Sequence, residues 1–202
     1  VAGAATGTAL NTADPTLWPR WLMMFGLALT TTAAYVIVDT GFFAGPESDA
    51  YKRWTPGFAL KVYTLGIIWF AIAGTWYVFG TWQPEVRQMM FSGPLLILTV
   101  LTAVGPGLPW LLIVAQRGGV TRGLAFATGL AQFGVLALNA ISRQIVQNAE
   151  LGRFLDVTAE PVNLQWSPLI LFLVLFVAGL GVVAWMVSKV VAATRQPAAP
   201  TG

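Results

Sequence analysis

Five long apolar runs, almost free of charge, decide what this chain can fold into. They cover residues 17–43, 57–82, 89–116, 122–144 and 167–188. A helix crossing the hydrocarbon layer needs about 20 mostly apolar residues, because its backbone hydrogen bonds must close internally where no water is available. The runs are too long and too continuously apolar for strands, and they lack the alternation of a membrane barrel. The expected fold is all-α, an integral membrane bundle of five transmembrane helices. Residues 1–16 should form a flexible lead-in, 17–194 the five-helix domain and 195–202 a frayed Pro/Ala-rich tail. The lead-in carries neither the basic region nor the apolar core of a signal peptide.

Composition narrows the chemistry. The chain has 202 residues, of which 56% are hydrophobic and 9% charged, whereas soluble domains carry about 25% charged residues. Eleven Lys and Arg against eight Asp and Glu leave a net charge of +3. The basic residues form no stripe, so nucleic acid is not expected as a partner. No Cys is present, which removes thiolate nucleophiles and iron–sulfur ligands. No His is present, which removes the commonest metal ligand and general base.

Orientation follows from the basic residues near the helix ends. Lys52, Arg53, Lys61, Arg117, Arg122, Lys189 and Arg195 fall on one side; Arg20, Arg87, Arg143 and Arg153 fall on the other. The larger set marks the cytoplasm. The amino terminus is then expected outside and the carboxyl terminus inside a bacterial plasma membrane.

Several residues invite a local reading. Trp18, Trp21, Trp54, Trp82 and Trp166 lie near helix ends and are expected to form an interfacial belt. "VGPGLPW", beginning at Val104, places two Pro and two Gly inside the third run and predicts a kink. Such a kink is either repaired by neighbouring helices or opens a cofactor cleft. Asp39 and Lys61 either pair or extend to the interface. Gln132 and Asn139, seven residues apart, share one face of the fourth helix and are expected to bind it to another helix. The spans otherwise lack charge at depth, which argues against a proton pump, an ion-coupled transporter or a channel.

Three stretches in order resemble the second half of subunit I of the cytochrome bd quinol oxidases. "DPTLWPRWLMM", from Asp14, has the form of the opening of that family's fifth helix, with Met23 where the family carries a haem-ligating His. "EVRQMMFSG" resembles its seventh-helix phrase, supplying Arg87 and placing Met89 at the opposite ligand position. "NAISRQIVQN" resembles the end of its eighth helix, keeping Arg143 and Gln144. Five helices would match the family's last five, and the charge-derived orientation puts Met23, Met89 and Arg143 at the outer face, where the family oxidises quinol.

The departures set limits. Ala140 stands where the family has a haem-ligating Glu, Ile145 and Val146 replace its Pro-Trp, and the long quinol loop shrinks to "TWQPEVRQ". The resemblance therefore implies a split, degenerate relative that cannot build an oxygen-reducing site. It implies a non-catalytic membrane subunit of a bacterial respiratory or electron-transfer complex. A second membrane chain would supply the missing helices, with c-type cytochrome or iron–sulfur subunits as further partners. Arg87 and Arg143 would neutralise a haem propionate or polarise a quinone carbonyl. Met23 and Met89 are either flexible packing residues or the two thioether ligands of a b-type haem. The alternative function is a cofactor-free structural subunit that scaffolds a membrane assembly.

Overall fold

A computed structural model describes residues 14–45, 49–152, 154, 159 and 165–194. Most of the expected lead-in, the tail from 195 onward and Arg153 lie outside the described residues. The described chain is helical and contains no strand: α1 (Leu17–Phe42), α2 (Asp49–Thr75), a π-helical turn (Trp76–Thr81), α3 (Pro84–Met90), α4 (Gly93–Val104), α5 (Gly107–Ala115), α6 (Arg122–Leu151) and α7 (Trp166–Thr194). Five helical stretches are long and apolar enough to cross a membrane, with α4 and α5 counting as one and the π turn extending α2.

Local chemistry explains the helix starts. Before α1, the Asp14 carboxylate accepts the Thr16 N–H at 2.8 Å and its hydroxyl at 2.7 Å. It also pairs with Arg20 at 3.3 Å, tying the approach to the helix's first turn. These bonds, led by the Thr16 hydroxyl, hold the Asp14 carboxyl below its ordinary value. Pro84 opens α3, where the lost N–H has no helical partner to miss. Gly93 turns the chain into α4 with φ of +52°, a conformation that a side chain would strain. The Thr121 hydroxyl caps α6 by accepting the Leu124 N–H at 3.4 Å.

The expected kink is present. The third span breaks between α4 and α5 at Gly105 and Pro106. The Gly105 N–H still reaches the Leu101 carbonyl at 2.8 Å, and the Leu108 N–H reaches Gly105 at 3.1 Å, so little backbone is left unbonded. Other boundaries differ from expectation. α2 begins at Asp49 and contains Pro56, α6 continues to Leu151, and α7 runs from Trp166 to Thr194. The third run splits at its start, so Arg87 and Met89 sit on the short α3 and not on the spanning helix.

Helices α1 to α6 form one unit, and its centre is the contact between α1 and α2. At the crossing the backbones touch: a Cβ on Gly26 would lie 2.8 Å from the Phe70 nitrogen, and one on Gly66 would lie 2.9 Å from the Gly26 carbonyl. Small residues permit this approach, which gives dispersion contact where lipid supplies no hydrophobic drive. Ala33, Ile37, Ala59, Tyr63, Ile113 and Ala125 form the main core of α1, α2, α5 and α6.

Polar bonds cross this core. The Tyr63 hydroxyl donates to Gln132 Oε1 at 2.7 Å, and Gln132 Nε2 donates to Thr30 and Thr31 at 3.1 and 3.0 Å. One amide thus joins three helices, as expected of Gln132. Trp110 donates to Thr64 at 2.9 Å, joining α5 to α2. Thr102 and Ser142 meet at 2.7 Å, joining α4 to α6. Asp39 and Lys61 do not pair: Asp39 accepts the Tyr51 hydroxyl at 2.8 Å and Lys61 is exposed.

α7 belongs to a second unit. It is a long apolar helix with no buried residue, its rings Phe172 and Phe176 stacked along one side at 5.8 Å.

Candidate functional site

Where α2 gives way to the π turn, the chain makes a wider coil. The turn carries Tyr77, Val78 and Phe79, and the strand-like residue Trp82 follows it. The Thr81 hydroxyl donates back to the Tyr77 carbonyl at 2.7 Å, inside the turn. π turns inside helices occur mostly as single-turn bulges, often at functional sites. Here the turn brings Tyr77 edge-on to Trp82, with ring centres 5.6 Å apart.

Around these rings lies a cluster of Tyr77, Trp82, Val86, Met90 and Val146, against which Met23 and Met89 both pack. Beside it opens a cavity of about 370 Å³. Its wall comes from α1, α2, the π turn, α3, α4 and α6, and is overwhelmingly apolar. A volume of this size falls within the range of small-molecule sites, about 300–1,000 Å³.

The polar groups in the wall come mainly from α4 and α6. Thr102 and Ser142 satisfy one another. Arg143 reaches the wall from an exposed position. Asn139 is half-buried in the same wall, and its amide makes no hydrogen bond to a described residue. The amide faces the cavity and is not sealed in protein, so a ligand there could bond it. The expectation that Asn139 would bind a neighbouring helix, as Gln132 does, is therefore not met. The two amides share a face, but Gln132 meets Tyr63 and Asn139 meets the cavity. The Trp82 indole N–H is buried and makes no hydrogen bond to a described residue. Trp82 itself is 8% exposed, so it belongs to the interior and not to the interfacial belt. Trp18, Trp21, Trp54 and Trp166 are exposed, as a belt requires.

The sequence-derived site residues divide. Met23 and Arg143 both line the cavity. The Met23 sulfur lies 3.7 Å from where a Cβ on Gly74 would stand. Met89 packs on the adjoining cluster but is not in the wall; its neighbour Met90, fully buried, takes that place. Arg87 is half-buried on α3 outside the wall. Gln144 is exposed and donates to Asn148 at 2.8 Å along its own helix. Met24 points away, 57% exposed.

No family model, curated protein or solved structure matches this chain. The reading of the site therefore rests on its own residues. The donor set tests a haem directly. The described residues hold no metal-binding group of His, Cys, Asp and Glu, and of the two methionines that would face each other across an iron, only Met23 lines the cavity. What the wall does offer is the Asn139 amide, an arginine, a few hydroxyls such as the mutually bonded Thr102 and Ser142, and otherwise apolar contact. That combination suits an uncharged apolar ligand bearing a carbonyl or hydroxyl.

Proposed function

We propose that this chain is a multi-pass membrane subunit of a bacterial electron-transfer complex, and that its cavity holds the head of a quinone. The observation that carries this reading is the Asn139 amide, bonded to no described residue, in the wall of an apolar cavity of ligand size. The amide would donate to a quinone carbonyl and accept from a quinol hydroxyl. Arg143, at the exposed edge, would add a charge-assisted donor to the same oxygen or to its partner across the ring. The apolar remainder would take the ring and the start of the isoprenoid tail.

The resemblance to half of a bd oxidase subunit I supports this reading, because it puts quinone chemistry at the end of the bundle where Arg143 lies. The charges support the orientation. Arg20, Arg87 and Arg143 gather at the cavity's end of the six-helix unit, and Lys52, Arg53, Arg117 and Arg122 at the other, so the cavity would open near the outer face. Redox partners and a second membrane chain would complete the complex.

The test is quinone content. The native complex, extracted gently and analysed by mass spectrometry, should retain about one quinone for each copy of this chain. Asn139→Leu should lower occupancy at fixed quinone by about fivefold or more, since one lost hydrogen bond in a desolvated site is worth about 1–3 kcal/mol. A complex that purifies intact without quinone, and that is indifferent to Asn139→Leu, would identify the chain as a cofactor-free scaffold.

A further inference from the structure

At the other end of the six-helix unit lies a second cleft of about 290 Å³, formed by Asp49, Lys52 and Arg53 of the first turn of α2 and by Arg117, Gly118 and Gly119 of the turn between α5 and α6. Three cations here face one carboxylate. None of the three makes an ion pair or a hydrogen bond with a described residue, and Asp49 makes no ion pair with one. Three like charges held around a single carboxylate repel one another. Their placement is built into the fold, since the two segments are far apart in sequence and meet only because α2 packs on α5.

The turn is shaped for close approach. Gly119 takes φ of +143°, and nothing stands within 4 Å of where a Cβ on Gly118 or Gly119 would be. The surroundings mark the level of the cleft. Beside it Trp54, 54% exposed, stacks on Phe58 at 4.4 Å and lies near Tyr51 at 6.2 Å. Phe43, at the end of α1, is 72% exposed. Exposed aromatic rings at the end of apolar helices sit among lipid headgroups. These rings are not part of the cleft's wall, but they mark its end of the helices, where a soluble phosphate would use the cations and gain nothing from the apolar helix faces.

We propose that this cleft binds the phosphate of an anionic phospholipid. Lys52, Arg53 and Arg117 neutralise the phosphodiester, Arg117 offering a fork of donors and Lys52 a mobile point charge. The acyl chains run down the exposed apolar faces beside Trp54. Basic pockets between transmembrane helices are the general form of such headgroup sites. The inference is independent of the quinone reading, because the two cavities share no residue.

The experiment is native mass spectrometry of the full chain in neutral detergent. It is titrated in parallel with phosphatidylglycerol, phosphatidylcholine, chain-free glycerophosphoglycerol and inorganic phosphate. Phosphatidylglycerol should bind at least about tenfold more tightly than phosphatidylcholine, and each cation removed, as Lys52→Gln or Arg117→Gln, should weaken it about fivefold. Arg20→Gln, an equal loss of charge at the opposite end of the same unit, should leave it unchanged, and Arg117→Lys should keep part of the affinity. Phosphatidylglycerol binding equal in wild type and both glutamine variants overturns the proposal. So does glycerophosphoglycerol or inorganic phosphate binding as tightly as the lipid. Should the variants fail to fold, wild-type binding decides: it must weaken as salt rises, and salt-independent binding overturns the site.

Discussion

Replacing Gly26 with Ala probes the α1–α2 contact at its tightest point. The new methyl would stand 2.8 Å from the Phe70 nitrogen, 3.0 Å from the Gly66 carbonyl and 3.0 Å from the Phe70 Cα. All three are backbone atoms, so no side chain can turn aside. Ordinary contact begins at 3.4 Å, so the helices must part by about 0.6 Å. A gap of that size forfeits about a quarter to a half of the dispersion well for every atom pair that it separates. Overpacking of this kind costs about 1–3 kcal/mol. The higher helix propensity of Ala offsets little, because a spanning segment stays helical in lipid even when unpacked. Gly66→Ala meets the Gly26 carbonyl at 2.9 Å from the opposite side and should cost a similar amount. The informative case is the double variant. One separation of the helices accommodates both methyls, so the double should cost clearly less than the two singles together. The assay is reversible unfolding in mixed micelles, followed by far-ultraviolet dichroism or Trp fluorescence. Neutral single variants, or singles that add fully in the double, would refute a direct backbone contact at this crossing.

Gln132→Leu should destabilise the unit by about 1–3 kcal/mol, because the fully buried Tyr63 hydroxyl loses its acceptor. Adding Tyr63→Phe should restore part of that loss, and unfolding midpoints of the two variants check it. Met23→Leu with Met89→Leu should cost less than about 1.5 kcal/mol, as a near-isosteric change. It should also leave the reduced-minus-oxidised spectrum of the native complex unaltered; loss of a b-type haem band would return the methionines to the role of ligands. The Asp14 carboxyl is held below its ordinary value of 3.8, so its contribution is complete above that value and fades as pH falls through the folded-state value. Protection of amides in the first turn of α1, taken relative to their intrinsic exchange at each pH, should therefore fall in acid, and Asp14→Asn should remove that fall.

The spans are legible in sequence because the bilayer imposes one strong rule, about 20 apolar residues without charge. Their ends are less legible. α6 continues past Gln144 since Ile145 and Val146 are apolar and the Gln and Asn that follow still fit a helix. The site was legible only in part. Met23 and Arg143 could be picked out, but Met89 and Met90 are adjacent, and which of them faces the wall depends on the turn that sets α3 before α4. A step of one residue rotates a helical side chain by about 100°. Nor does the spacing of Gln132 and Asn139 reveal what lies opposite each. Trp82 was hidden by its position at the end of a run, where a tryptophan ordinarily faces headgroups.

The π turn at Trp76–Thr81 has a consequence for chain length. A π turn holds an extra residue compared with the α turn that it replaces. Deleting one residue from this stretch would let the ordinary ladder run through with the segments on either side in nearly the same orientation, because a π turn spends one more residue on nearly the same rotation. The residues of the turn itself would be re-aimed, and the part of the cavity wall made by Tyr77, Val78 and Phe79 would be redrawn. The deleted chain would show the same hydropathy, the same spans and the same charges at each end. The site is thus recorded partly in an insertion and not only in the identity of its residues. Two descendants of such a chain would be told apart by counting residues between Gly74 and Pro84, before any comparison of side chains.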